Sequence, residues 1–198
     1  MKYSIALVVI GLFTVSCKFP DHNIIKEGEV TYKISYAGNL GQAAKKLMPH
    51  ILHLYFNDNK IRIEMKGGLG DLKPDILIDG QKGEITSLKI FDKTAEIRSL
   101  LKKDSSLVET DQSQIVKGYI CHVYKAKNKN TGYEIWAADQ MPCIINGTSR
   151  LEGFYLCGYN KIPLKIIDRE QDFTVTYSAD SISAQNQPDS LFRFNYHR

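Results

Sequence analysis

Alternation of apolar and polar side chains is the main pattern in this sequence. In residues 30–36 and 60–66, apolar or aromatic side chains occupy every second position, and polar side chains lie between them. Successive side chains of a strand point to opposite faces, so each stretch predicts a strand with one face in the core and one in water. Other strand-like stretches, bounded by Asn, Asp, Lys and Gly turns, predict strands at 51–56, 75–78, 83–91, 94–100, 114–127, 133–138, 162–169 and 173–178.

Helical patterns are few and short. Residues 42–48 favour a helix that ends before Pro49, and we expect it to cover the second face of the strand at 51–56. Residues 149–155 leave room for another short helix, and the polar stretch 102–114 is expected to be a long exposed connection. Strands and helices do not alternate. The sequence therefore predicts a mainly β protein, a curved antiparallel half-barrel of roughly ten strands with short helices covering one side.

The chain begins with the pattern of a bacterial export signal. Met1 and Lys2 precede an uncharged apolar run at 5–15, which is shorter than the roughly 20 residues that a membrane span needs. Ser16 and Cys17 then resemble a lipobox, although Thr14 stands where leucine is usual. We predict a lipoprotein-type signal peptide at 1–16, lipidation at Cys17, a lipidated N-terminus and tether over 17–27, and a single antiparallel β domain over 28–198. An ordinary cleaved signal followed by an incidental cysteine is the alternative.

Composition narrows the function classes. Hydrophobic residues make up 43% of the chain and charged residues 24%, which is typical of globular domains and not of disordered ones. The net charge of +4 is small and its basic residues are dispersed, so no nucleic-acid partner is expected. The expected partners are a membrane, held through the lipid anchor, and an apolar ligand or another envelope protein. The expected location is the bacterial cell envelope, at the outer membrane facing the periplasm.

Cysteine and histidine spacings do not match a metal site. Cys121, Cys143 and Cys157 follow Cys17 without a C-x-x-C motif. In an oxidising compartment, Cys143 and Cys157 are candidates for a disulfide, and the absence of any disulfide is the other interpretation. His50 and His53 lie three apart on a predicted strand and so point to opposite faces. No metal and no cofactor are expected.

No common catalytic motif stands in a suitable context. The chain has no G-x-S-x-G, H-E-x-x-H or S-x-x-K arrangement of that kind, and its carboxylates are dispersed along turns and polar faces. These observations predict that the protein is not an enzyme.

Four short motifs resemble a family of envelope lipoproteins of Bacteroidetes-type bacteria, catalogued as a domain of unknown function. They are K-G-Y-I-C at 117–121, Y-E-I-W at 133–136, I-P-L-K at 162–165 and P-D-S-L-F at 188–192, and the likeness spans about Glu27 to Asn195. The family is similar in architecture to the lipoprotein carriers LolA and LolB. The resemblance implies a half-open antiparallel barrel with a helical lid around an apolar cavity, which in the carriers accepts acyl chains.

A concave apolar face is where a ligand is expected to bind. The inward positions proposed for the cavity wall are Tyr32, Ile34, Leu54, Phe56, Ile63, Met65 and Trp136. Trp136 is the single tryptophan, and a large core residue is its alternative interpretation. We expect an anchored, non-enzymatic lipoprotein that binds or shields a lipid or an acyl chain. An adaptor that engages another envelope protein, and an enzyme acting on envelope glycan or lipid, are the alternatives.

Overall fold

The computed structural model describes residues 23–88, 94–100, 107–127, 132–145, 149–151, 154–156 and 160–194. The predicted signal peptide, Cys17 and the first part of the tether lie outside these ranges. Within them, no helix has the length and apolar character needed to cross a membrane.

Thirteen strands and one short α-helix make up the secondary structure of the described residues, together with 3-10 turns at Gly68–Leu72 and Asp189–Phe192. The elements are β1 (Gly28–Gly38), α1 (Gln42–Leu47), β2 (Ile51–Phe56), β3 (Lys60–Lys66), β4 (Asp75–Asp79), β5 (Glu84–Leu88), β6 (Ala95–Ser99), β7 (Val108–Val116), β8 (Tyr119–Lys127), β9 (Gly132–Pro142), β10 (Ser149–Leu151), β11 (Phe154–Leu156), β12 (Lys161–Arg169) and β13 (Phe173–Ser183).

Eleven of these strands form one open antiparallel sheet, in the order β6-β5-β4-β3-β2-β1-β13-β12-β9-β8-β7. β10 and β11 pair separately as a small hairpin. The first and last strands, β1 and β13, pair at the centre of the sheet, so each half of the chain builds one wing. The edges of the sheet are β6 and β7. The predicted fold class, a mainly β antiparallel half-barrel, is confirmed.

The sheet curves so that its inner face encloses its own core. Alternation predicted this face correctly, because Val30, Tyr32 and Ile34 on β1 are buried, as are Ile61 and Ile63 on β3. The hydroxyl of Tyr32 also donates a hydrogen bond to the backbone carbonyl of Pro163 on β12. The strand β13 lies between β1 and β12, so this buried bond joins non-adjacent strands within the enclosed interior.

Helix α1 contributes little cover. It has no buried residue and Leu47 is more than half exposed, so the prediction that it covers the second face of β2 is wrong. That face carries His53 and Tyr55, whose rings stack, and the His53 Nδ1 lies 2.8 Å from a Glu29 carboxylate oxygen. The polar side chains on this face of β2 therefore pair with side chains of the strands themselves, and no helix covers them.

The second half of the chain corrects two predictions. The connection expected at 102–114 includes most of β7, and the strand expected at 114–127 is two strands joined by Lys117 and Gly118. Both turn residues have positive φ, 53° and 87°, as a two-residue type I′ hairpin requires. β7 escaped detection because an edge strand exposed on most of its length needs no apolar alternation.

The helix allowed for 149–155 is also wrong, because the structure has the short strands β10 and β11 there. Each strand has three residues, which is too short for a periodic pattern to distinguish a strand from a helical turn.

Gly80 is expected to be indispensable for the packing of the loop at 143–145. A Cβ atom at Gly80 would collide with the backbone carbonyl oxygen of Ile144, which cannot move as a side chain can. We expect Gly80→Ala to lower the free energy of unfolding by about 1 to 3 kcal/mol, as overpacking does. Gly41→Ala is the matched control, because a Cβ there meets nothing within 4 Å. Equal urea midpoints for the two variants would contradict this account.

Candidate functional site

One end of the curved sheet is hollow. A cavity of about 340 Å³ opens there, between the central strands and the segment that precedes β2. Its wall is mostly apolar, with two acidic side chains and one lysine among the lining residues. The lining residues are Ile34, Tyr36, Met48, Pro49, Met65, Lys73, Asp168, Glu170, Phe173, Val175 and Tyr177.

Strand register brings the central part of this wall together. Tyr36 on β1 pairs with Val175 on β13, and Val175 pairs on its other side with Asp168 on β12. Paired residues of adjacent strands share a face, so these three side chains form a row across the inner surface. Two residues further along, Ile34 and Tyr177 form the next row.

Tyr36 is held in place by the backbone. Its hydroxyl donates a 2.7 Å hydrogen bond to the carbonyl oxygen of Pro49, which closes the wall between β1 and the start of β2. Burial raises the pKa of Tyr36 to about 12, so the phenol stays protonated and neutral at physiological pH. The ring therefore offers the cavity an aromatic surface without a negative charge.

Asp168 is the most deeply buried ionisable group of the wall, with 2% of its surface exposed. It ends an inward-facing stripe that is otherwise aliphatic, formed by Ile162, Leu164 and Ile166. Lys73 and Glu170 also line the cavity but are only partly buried. An apolar cavity with a few convergent polar groups is the usual form of a small-molecule site.

The seven residues that the sequence predicted to line the cavity fall into three groups in the structure. Ile34 and Met65 do line the cavity. The other four residues on β1, β2 and β3 pack into the solid core with at most 1% of their surface exposed, and they are Tyr32, Leu54, Phe56 and Ile63. At these four positions the interior of the described part of the chain is therefore filled, and the cavity lies beside Ile34 and Met65.

Trp136 does not line the cavity but is buried, with 8% of its surface exposed, which agrees with its alternative interpretation as a large core residue. Its strand register places it on the face of the sheet opposite the cavity wall. It pairs with Lys165 on β12, Lys165 pairs with Ser178 on β13, and Ser178 pairs with the exposed Lys33 on β1. The Lys165 ammonium sits 4.6 Å from the centroid of the indole ring, in a cation–π contact. The prediction placed Trp136 inside because all residues from Ile135 to Ala138 are apolar, which hides the alternation.

Asp168, Glu170 and Lys73 were missed by the sequence-based predictions. For Asp168 a signal existed, because an acid at an inward position of an alternating strand is rarely accepted without a reason. Lys73 and Glu170 lie in turns, where charged residues are common and carry no such signal.

A second polar cluster joins the strands of the other wing. The two ring nitrogens of His122 lie 3.1 Å from a Glu109 oxygen and 3.0 Å from an Asp139 oxygen, and the Lys161 ammonium contacts the same Asp139 carboxylate. These side chains are partly exposed and span β7, β8, β9 and β12. We interpret the cluster as an ion-pair network that holds the wing together. Across the described ranges, no group of three or more side chains is arranged to hold a metal ion.

Two of the cysteines are buried thiols. Cys121 and Cys143 are free in the structure, and the Cys143 thiol lies 3.5 Å from the carbonyl oxygen of Asn57. Cys157, its predicted disulfide partner, lies outside the described residues, so that pairing stays a prediction. Burial raises the pKa of both thiols to about 12.

We expect Cys121 and Cys143 to resist alkylation in the folded protein. Only a thiolate reacts, and a raised pKa keeps these thiols protonated at pH 8. Iodoacetamide followed by peptide mass spectrometry should show both labelled in urea and unlabelled without it. The raised pKa values also make the free energy of unfolding fall as pH rises above 9. The thiols of the unfolded chain ionise at a lower pH than the buried thiols of the folded protein, and this favours the unfolded state. Rapid native labelling of either residue would contradict their burial.

Comparison with known proteins shows similarity of fold only. No protein-family model matches the chain, and no curated protein matches it. Two solved structures of PNGF-II, in the C2 and P21 space groups, superpose with TM-scores of 0.55 and 0.56 at 16% and 15% sequence identity. Each covers 84% of this chain, while this chain spans only 29% and 30% of those structures. The LolA-like lipoprotein family stays a prediction.

Proposed function

We propose that this protein is a membrane-anchored envelope lipoprotein, without enzymatic activity, that binds a small apolar or amphiphilic ligand in the cavity at the end of its half-barrel. The observation that carries the proposal is the cavity itself. Its wall joins aliphatic and aromatic side chains to a few ionisable groups, the combination expected of a binding pocket.

The volume of the cavity limits the size of the ligand. At about 340 Å³ it lies near the lower end of the roughly 300–1,000 Å³ range of ligand pockets. Close packing of Tyr32, Leu54, Phe56 and Ile63 prevents a ligand from extending along the rest of the interior. These dimensions favour a single short apolar chain over a bulky multi-chain lipid.

Ligand binding can be tested by native mass spectrometry after purification without detergent. We expect the wild-type protein to carry a small bound mass, and Val175→Phe to lose it, because Val175 lines the cavity and the larger ring fills part of it. Val108→Phe is the control, since Val108 is exposed on the edge strand β7. A wild-type protein without bound mass that also fails to bind added octyl compounds would refute the proposal.

The membrane anchor needs a separate test. It is supported by the apolar run at 5–15 followed by Ser16 and Cys17. Metabolic labelling with radioactive palmitate is expected to label the mature protein and not a Cys17→Ala variant. An unlabelled wild-type band would refute the anchor while leaving the ligand-binding proposal intact.

An adaptor function is the second candidate, and the edges of the sheet favour it. Ile97 on β6 and Val108 and Ile115 on β7 have 51%, 60% and 65% of their surface exposed. An open edge strand with apolar side chains can add a strand from a partner protein. A photo-crosslinking residue placed at position 97 should capture one stoichiometric envelope partner in cells, whereas the same residue at the exposed Lys33 should not.

A further inference from the structure

The strand β6 is an open edge of the sheet. Among the described strands it pairs only with β5, and the last four of its five residues are exposed. Ile97, in the middle of the strand, has 51% of its surface exposed. An open edge presents unpaired backbone N–H and C=O groups, so the sheet can continue across it into another chain. The side chains of β6 determine which chain fits.

Opposite charges stand on the two sides of Ile97. Glu96 and Arg98 lie two positions apart, so they share one face of β6 while Ile97 points to the other face. The Arg98 Nε lies 3.2 Å from a Glu96 carboxylate oxygen, and both side chains are at least half exposed. Charges on an edge strand usually prevent a second copy from pairing there. These two charges are opposite in sign and symmetric about Ile97, so they do not repel a second copy in the antiparallel orientation.

One register brings opposite charges together when β6 pairs with β6 of a second copy. Directly opposite residues of antiparallel strands share a face, so a twofold pair of identical strands is centred on a residue. Centring on Glu96 or Arg98 places like charges directly opposite each other, which destabilises a sheet. Centring on Ala95 or Ser99 leaves most of the strand unpaired. Centring on Ile97 places Glu96 opposite Arg98 of the second copy, twice.

Both faces of the sheet gain contacts in the register centred on Ile97. On one face the two exposed Ile97 side chains come into direct contact, which removes apolar surface from water. On the other face Glu96 and Arg98 of the two copies form a square of alternating charges. Each carboxylate then has one guanidinium neighbour in its own strand and one across the interface.

The opposite edge of the sheet lacks this symmetry. β7 carries Glu109 and Asp111 but no basic residue, so its acids meet no cation on a second copy of the same strand. Its pairing with β8 is also irregular between Glu109 and Ser113. A contact between β6 of one copy and β7 of the next would be heterologous, and such contacts continue from copy to copy unless a ring closes. The β6 edge is therefore the self-complementary one.

We propose that the protein forms a twofold symmetric dimer through β6, with the two strands antiparallel and Ile97 on the symmetry axis. At this edge, a second copy of the chain takes the place of the foreign partner that the adaptor candidate requires. The dimer does not depend on a ligand in the cavity. Because each strand has only five residues, the interface is small and the dimer is weak and reversible.

Charge reversal tests the pairing of Glu96 with Arg98. Sedimentation equilibrium of the wild-type protein should show monomers and dimers in equilibrium. Glu96→Arg and Arg98→Glu should each raise the dissociation constant at least about tenfold, because each places like charges opposite each other twice. An equimolar mixture of the two variants should recover the dimer, since every arginine then faces a glutamate. Both positions are exposed, so the monomer should fold normally.

Asp111→Arg is the matched control for charge reversal. It changes the net charge of the chain by the same amount as Glu96→Arg, at an exposed position on the other edge strand. Its dissociation constant should equal that of the wild-type protein.

Ile97→Cys tests the position of the symmetry axis. Directly opposite residues of antiparallel strands have Cα atoms about 4.5 to 5.5 Å apart, within the range that a disulfide bridges. The purified variant should form disulfide-linked dimers at least about tenfold faster than Val108→Cys, a control at a similarly exposed position on β7. Non-reducing gels measure both rates, and the wild-type protein beside them corrects for its native cysteines.

Four results would overturn the dimer. They are a wild-type protein that stays monomeric, single charge-reversal variants that dimerise as tightly as the wild type, assemblies larger than a dimer, and equal crosslinking of Ile97→Cys and Val108→Cys. Capture of a different protein by the photo-crosslinking residue at position 97 would also contradict it. Ligand binding, which is measured as bound mass, holds or fails independently of these results.

Discussion

Replacement of Ile63 by alanine is expected to lower the free energy of unfolding by about 2 to 5 kcal/mol, the usual cost of truncating a fully buried aliphatic side chain. Ile63 lies on β3 with 1% of its surface exposed, in the filled part of the interior. Its removal leaves a void that tightly packed neighbours fill only in part. The measurement is equilibrium urea unfolding of the purified protein, followed by circular dichroism.

The same substitution at Ile97 is the matched control. Ile97 lies on the edge strand β6 and is half exposed, so Ile97→Ala should change stability by less than about 0.5 kcal/mol. The comparison also tests whether the interior is filled at this point. If Ile63 lined a hollow cavity, as the sequence analysis expected, truncation would cost little more than it does at the edge.

Replacement of Arg62 by methionine is expected to cost about 2 to 4 kcal/mol, because it leaves two partly buried carboxylates without their shared cation. The Arg62 guanidinium lies 2.7 Å from an Asp75 oxygen and 2.8 Å from a Glu64 oxygen. It also donates a 3.0 Å hydrogen bond to the carbonyl oxygen of Leu191. Methionine retains the apolar stem of the arginine side chain. The lost free energy of unfolding therefore measures the contribution of the positive charge and its hydrogen bonds.

A local effect should accompany the loss of stability. Arg62 stacks over the ring of Phe194 and binds the Leu191 carbonyl, so it holds the C-terminal segment against the outer face of β3. We expect faster hydrogen exchange of backbone amides at 189–194 in Arg62→Met. Arg169→Met is the control, because its ion pair with Glu134 is half exposed and should be worth less than about 1 kcal/mol. Equal losses in both variants would contradict the central role of Arg62.

If both results hold, the wing of the sheet that contains β3 is stabilised on both faces. The core row that includes Ile63 prevents the interior from collapsing around a ligand, and the Arg62 contacts fix the outer face of the same wing. The cavity is already open in the structure without a ligand, and a pre-formed site loses little conformational entropy when it binds. Pre-organisation of this kind is what a selective small-molecule site requires.

The sequence by itself determined the class of fold and the inner face of each well-patterned strand. Residues 30–36 and 60–66 were placed correctly because a period of two is a local property, set by the geometry of a single extended strand. The same reasoning failed for β7, an edge strand that has no buried face to impose a pattern. It failed for Trp136 because its neighbours Ile135 and Ala137 are also buried, so apolarity no longer marks one face.

Only the tertiary structure decided which inward positions are packed and which line an opening. Ile34 and Ile63 have the same sequence signature, yet Ile34 lines the cavity and Ile63 is enclosed by other side chains. The difference arises from the curvature of the sheet and the pairing of β1 with β13, strands that are separated by most of the chain. That pairing also sets Tyr36, Val175 and Asp168 in one row. The site is formed by contacts between residues that are far apart in the sequence, and a local sequence pattern cannot predict such contacts.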